Sequence, residues 1–99
     1  MSFYNGIEYV PVEMFNGKIC MVPKSKRGAF ESREYWLNRD DHIRKDIQRR
    51  RDEGKLSTAA VFEKHYLNES TQEIAKCNRR IGRAVAYSLE DYRALVAAQ

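Results

Sequence analysis

Cysteine, histidine and long apolar runs are all scarce in this chain. Its two cysteines, Cys20 and Cys77, lie far apart with no C-x-x-C pair, and its two histidines, His42 and His65, sit at no metal-ligand spacing. That excludes a disulfide scaffold and a zinc module, and both thiols are expected to be free and mostly buried. No apolar stretch approaches the roughly 18 to 20 residues of a membrane helix, and the N-terminal "MSFYNGIEYV" lacks a basic segment followed by an apolar one. A cytoplasmic protein with no membrane partner is expected. Gly-rich phosphate loops, a G-x-S-x-G elbow and an H-E-x-x-H pair are also missing. Glu63 and His65 are two residues apart and would point to different sides of a helix, a poor arrangement for general acid–base work. Nothing here calls for catalysis, a cofactor or a metal.

What is present is 99 residues with 42% apolar content, enough for one small domain and its core. The net charge is +4, unevenly spread. Residues 24–55 hold eleven bases against seven acids, whereas residues 1–23 and 56–99 are close to neutral. A basic zone of this kind suits phosphate or an acidic protein.

The fold expected is α+β and mainly helical: an N-terminal β-hairpin over residues 1–23, a basic loop over 24–31, and a helical part over 32–99 with three or four helices. In "IEYVPVEMFNGKICMVPK" two apolar runs flank Asn16-Gly17, a dipeptide suited to a two-residue type I′ turn. That register sets Met14 opposite Ile19 and Val12 opposite Met21, with Val10 on the same face. Pro11, lacking an N–H, places its side of the strand at an edge. Asn5-Gly6 offers a second turn that would fold a very short strand back onto the hairpin. Ser32 as N-cap and Gly54 as the terminating glycine bracket a helix of roughly twenty residues. Its inner stripe would be Trp36, Ile43 and Ile47, helped by Leu37 and the stem of Arg50. Its outer face carries the acid-first pairs Asp40/Arg44, Asp41/Lys45 and Asp46/Arg50. A second helix begins near Ser57 with Val61, Phe62, Tyr66 and Leu67 facing inward. Ser70 with Glu73 has capping-box spacing and predicts a fresh helix start at Thr71.

Two clusters bear on function. Arg44, Lys45, Arg49, Arg50 and Arg51 in "IRKDIQRRRDEGK" could grip phosphates, with Lys24, Lys26 and Arg27 of the basic loop beside them. Further on, "VFEKHYLNESTQEIAKCNRRIGRAVAYSLEDYRAL" resembles the helix-turn-helix of sigma-factor region 4 and of some phage-encoded regulators. Ser70, Glu73, Ile74 and Ala75 match the start of the positioning helix, and Val85 the apolar anchor of the recognition helix. The resemblance implies that Asn78, Arg79, Arg80 and Arg83 meet the major groove of DNA, arginine toward guanine and asparagine toward adenine. That family carries glycine or asparagine at the turn near Arg79, whereas here the glycine is Gly82. Without a turn, Ile74, Ile81, Ser88 and Leu95 form a heptad seam on one long C-terminal helix of about 25 residues, which could pair two chains as a homodimer through residues 74–96.

Two function classes follow. One is a small phage-type regulatory protein that binds DNA or RNA through its arginines. The other is a non-enzymatic inhibitor or adaptor that docks on a larger host protein complex, such as a nuclease or defence machine, with aromatic residues and arginine at its interface.

Overall fold

A computed structural model of the chain describes residues 2–99. Its architecture is α+β, with an antiparallel four-stranded sheet at one end and an elongated pair of helices extending from it. Strands β1 (Ser2–Tyr4), β2 (Ile7–Glu13) and β3 (Ile19–Pro23) are consecutive, and a two-residue strand β4 (Tyr87–Ser88) joins the edge of β3, giving the order β1-β2-β3-β4. The dimensions, 57 × 23 × 16 Å, are those of a rod.

The hairpin forms, but in a register shifted by one residue. Val12 lies opposite Cys20 and Val10 opposite Val22, and Met14 N–H donates to the Lys18 carbonyl at 2.7 Å. The loop therefore has three residues, with only Gly17 at positive φ (+85°); the Asn16 side chain instead accepts from Lys18 N–H at 3.0 Å. Asn16 thus satisfies the turn with its side chain, so its backbone need not enter the left-handed region. A one-residue slip reverses the facing of the whole second strand. Val12, Met14 and Val22, with Val10 and Cys20, face the long helix, while Met21 turns to the other side and Ile19 is about a third exposed. The type I′ geometry occurs instead at Asn5-Gly6, where φ is +52° and +73°, and it returns β1 onto β2.

The sheet is covered on both faces. On one, Ala29 and Phe30 of helix α1 (Arg27–Asp52) pack with Val12, Met14, Val22 and Ile81. On the other, helix α4 (Leu89–Ala97) brings Tyr92 against Tyr9 and Met21, with Tyr4 and Tyr87 at the margin. The Tyr9 hydroxyl is held above the usual tyrosine range, first by burial and then by the neighbouring tyrosines Tyr87, Tyr92 and Tyr4.

The basic loop expected over 24–31 is mostly helix. A single 3-10 turn at Lys24–Lys26 leads straight into α1, five residues before the expected cap at Ser32. Burying Ala29 and Phe30 on the sheet draws those residues into the helix, and an Arg27–Glu31 i,i+4 pair supports the added turn. At the far end the expectation holds: Gly54 (φ +77°) donates to the Arg51 carbonyl and Lys55 to the Arg50 carbonyl, the two bonds of a Schellman stop.

Helix α2 (Leu56–Phe62), a π-helical turn (Glu63–Leu67) and helix α3 (Asn68–Ile81) then run back along α1 with helical dihedrals at each joint. No new helix starts at Thr71. Ser70 is fully buried inside the rod, where its hydroxyl donates to Asp40 Oδ1 of α1 at 2.6 Å and lies 3.0 Å from the Leu67 carbonyl. The polar contact across the helix pair has displaced the capping role that the spacing indicated. Of the residues expected to face inward, Val61 and Tyr66 are about half exposed, and Ala59 is the buried residue of α2. Replacing Ser70 by alanine leaves a part-buried carboxylate oxygen of Asp40 without this donor, at an expected cost of about 1–3 kcal/mol in urea denaturation. A loss below about 0.3 kcal/mol would show that the Asp40–Ser70 contact holds nothing together.

The expected long C-terminal helix is also revised. Helix α3 ends at Ile81, Gly82 takes φ +60° and ψ −125°, and residues 83–86 lead to β4 before α4 begins at Leu89, capped by Ser88. A backbone turn there suits glycine, because an L side chain at that φ is strained. The seam from Ile74 to Leu95 is broken: Ile81 is in the core and Ser88 is an N-cap. The 74–96 surface is not one helical face on which two chains could zip together.

Candidate nucleic-acid interface

The antiparallel pairing of α1 with α3 decides which cations are neighbours. Arg33 reaches Asn78, Lys26 reaches Arg80, and Asp40 meets Ser70, so the start of α1 lies beside the end of α3 and next to the sheet. The bases of 24–27 and of 78–83, distant in sequence, therefore gather at one junction. The bases of 44–51 lie at the opposite tip, about 24 residues and ~36 Å of helix from Arg27 to Arg51.

The tip is electrically spent. Arg44 pairs with Asp40, Lys45 with Asp41, Arg49 with Asp46 and Glu53, Arg50 with Asp46, and Arg51 with Glu63. Hydrogen bonds from Arg49 and Arg50 hold the Asp46 carboxyl below the usual aspartate range, and a bond from Lys45 does the same for Asp41. Both acids therefore stay charged at any pH near neutrality. Arg50 has a further structural task, its guanidinium lying 4.1 Å from the centre of the Phe62 ring.

The junction differs. Arg79, Arg80 and Arg83 are exposed, and among the described residues no carboxylate lies within 4 Å of any of them. Lys26 donates through Nζ to the Arg80 carbonyl at 2.6 Å, capping the end of α3, while Gly82 N–H bonds the Asn78 carbonyl at 3.0 Å. Lys26 and Gly82 thus satisfy two of the terminal carbonyls, and the three arginines remain exposed to solvent. Lys24 and Arg27 are paired, with Glu8 at 3.4 Å and Glu31 at 2.6 Å, so the unpaired charge here is chiefly that of the three arginines. The unpaired positive charge of this junction thus comes mainly from residues 79–83, outside the middle third in which the sequence shows its excess of bases.

Asn78 and the arginines do not open a recognition helix. The backbone turn implied near Cys77–Arg80 is absent, since α3 is continuous to Ile81. The Asn78 side-chain oxygen accepts from Arg33 Nη1 at 3.3 Å, and Arg33 also lies over Phe30 and beside the buried Glu34. Glu34 in turn accepts from Phe15 N–H at 3.3 Å, tying the hairpin loop to α1. Nothing in the sequence around Arg33 marks it out. Its position three residues after Phe30, on the side turned toward α3, is the feature that brings it here.

Among the described residues, no group of His, Cys, Asp and Glu is placed to hold a metal ion, both cysteines are free, and no helix is long and apolar enough to cross a membrane. Comparison with protein-family models, curated proteins and solved structures returned no match to this chain.

Proposed function

We propose that this protein is a small, non-enzymatic nucleic-acid-binding regulator that grips the phosphate backbone through Arg79, Arg80 and Arg83, with Lys24, Lys26 and Arg27 on the flank. The observation that carries the reading is the contrast in pairing: every base of the 44–51 cluster has a carboxylate partner, and these three arginines have none among the described residues. Guanidinium forks free of local acids match phosphate oxygens, and each contact releases condensed counterions. The arginines lie at the C-terminal end of a packed helix, whereas recognition helices present their N-terminal residues to base edges. Backbone contact with little sequence preference follows, in place of arginine-to-guanine and asparagine-to-adenine readout.

The competing reading, an inhibitor or adaptor on a host protein complex, draws on Leu56 and Val61, which are 66% and 51% exposed on α2. One experiment separates the two. Tagged protein is recovered from lysate with and without nuclease treatment, and its affinity for a labelled mixed-sequence oligonucleotide is read by anisotropy. Co-purifying nucleic acid that nuclease removes, together with direct oligonucleotide binding, is the expected result. A stoichiometric protein partner that survives nuclease, with no oligonucleotide binding, would replace this reading with the adaptor.

A further inference from the structure

The groove between α1 and the π-turn carries a second set of groups with recognition chemistry. It is an open cleft of about 520 Å³ whose walls are Tyr35 and Tyr66, 58% and 44% exposed, over a floor of Ile43 and Phe62. Arg39 and His42 line its rim. Tyr35 stands edge-on against Trp36 (5.3 Å, 82°) and Tyr66 edge-on against Phe62 (5.1 Å, 66°), which fixes both tyrosine rings while leaving surface uncovered. The π-turn is what brings Tyr66 here: it adds a residue to the turn that holds Tyr66 beside the groove.

We infer that this groove binds nucleobases of single-stranded nucleic acid by stacking on Tyr35 and Tyr66. The inference rests on the nucleic-acid reading above and names the form of nucleic acid that suits it. Three features favour a base over a peptide side chain. The walls are ring surfaces rather than aliphatic knobs, and stacking accepts any base. The rim supplies a planar cation, Arg39, held only loosely by Glu69 at 3.8 Å and lying over Trp36, while the one acid in the lining, Asp46, is already bound by Arg49 and Arg50. The groove is also within reach of the basic junction. Arg39 lies beside Glu69, and Arg80 is eleven residues further along α3, ~16 Å of helix. A single strand of a few nucleotides spans that distance, its phosphates on the arginines and its bases on the tyrosines. A stiff duplex keeps its bases stacked inside and offers the tyrosines nothing.

The test compares oligodeoxythymidine with a duplex of equal length, using anisotropy for affinity and quenching of the lone Trp36 for occupancy of the groove. Single strand should bind more tightly and quench Trp36. Tyr35→Ala and Tyr66→Ala should each weaken single-strand binding about 5- to 150-fold, and Tyr35→Phe and Tyr66→Phe, which keep the ring, should restore it. Circular dichroism of each variant confirms that the helices persist. Equal affinity for both forms, unchanged by Tyr→Ala yet abolished in the Arg79/Arg80/Arg83 alanine variant, overturns the groove and leaves the backbone-binding reading in place. Absence of any oligonucleotide binding overturns both.

Discussion

Replacing Phe30 by alanine is expected to remove about 3–5 kcal/mol of stability, the range for deleting a buried aromatic ring. Phe30 is 1% exposed, enclosed by Val12, Met14, Val22, Ala29 and Ile81, and it is the largest fully buried side chain. It joins the sheet, the start of α1 and the end of α3 at one point. Both core clusters lie at the sheet end, whereas the helical rod buries only a few small or single residues such as Ile47, Ala59, Ser70 and Cys77. Little elsewhere can compensate. A domain of this size holds about 5–15 kcal/mol in total, so the variant should lose from about a fifth to all of its stability, seen as a lower urea midpoint or an unfolded baseline. Phe15, half exposed at the hairpin loop, is the matched control and should change stability by no more than about 0.5 kcal/mol on truncation. A loss below about 1 kcal/mol at Phe30 would show that the sheet and rod are not held by this contact.

The same residues show why some of the fold was legible and some was not. The hairpin, the long charged helix and its stop at Gly54 are local: alternation, i,i+4 pairs and a left-handed glycine each act within a few residues. The register of the hairpin was not legible, because Asn16 has two ways to make a turn and only the packing of Val22 under Phe30 selects between them. Ser70 shows the same limit in another form. Its spacing to Glu73 is that of a cap, yet the decisive partner is Asp40, thirty residues away on another helix. For the candidate site, the acid–base spacings of 40–50 already marked that face as self-neutralised. That Lys26 would meet the Arg80 carbonyl depended on α1 and α3 packing antiparallel, which no local pattern encodes.

The second large effect concerns those arginines. The triple variant Arg79→Ala/Arg80→Ala/Arg83→Ala should weaken oligonucleotide binding on the order of a hundredfold at about 50 mM salt. Its salt dependence should also flatten, by about 0.9 in log–log slope for each phosphate no longer neutralised on a duplex or about 0.7 on a single strand. The fold should persist, since all three side chains are exposed. The informative comparison is a tip variant that removes whole ion pairs, Asp41→Ala/Lys45→Ala/Arg51→Ala/Glu63→Ala, and so keeps the net charge. Arg50 is left in place because it packs over Phe62. Exposed pairs of this kind contribute about 0.2–1 kcal/mol each, and binding should change by less than about threefold. Equal losses in the two variants would mean that nucleic acid senses the helix surface in general.

The claim that unpaired junction arginines hold the phosphate backbone is tested most directly by the slope of log K against log salt concentration for the native protein. Three or four neutralised phosphates predict a slope between about −2 and −4, and tight binding at low salt that fades toward physiological ionic strength. Binding that persists unchanged as salt is raised, or no binding at low salt, would contradict it.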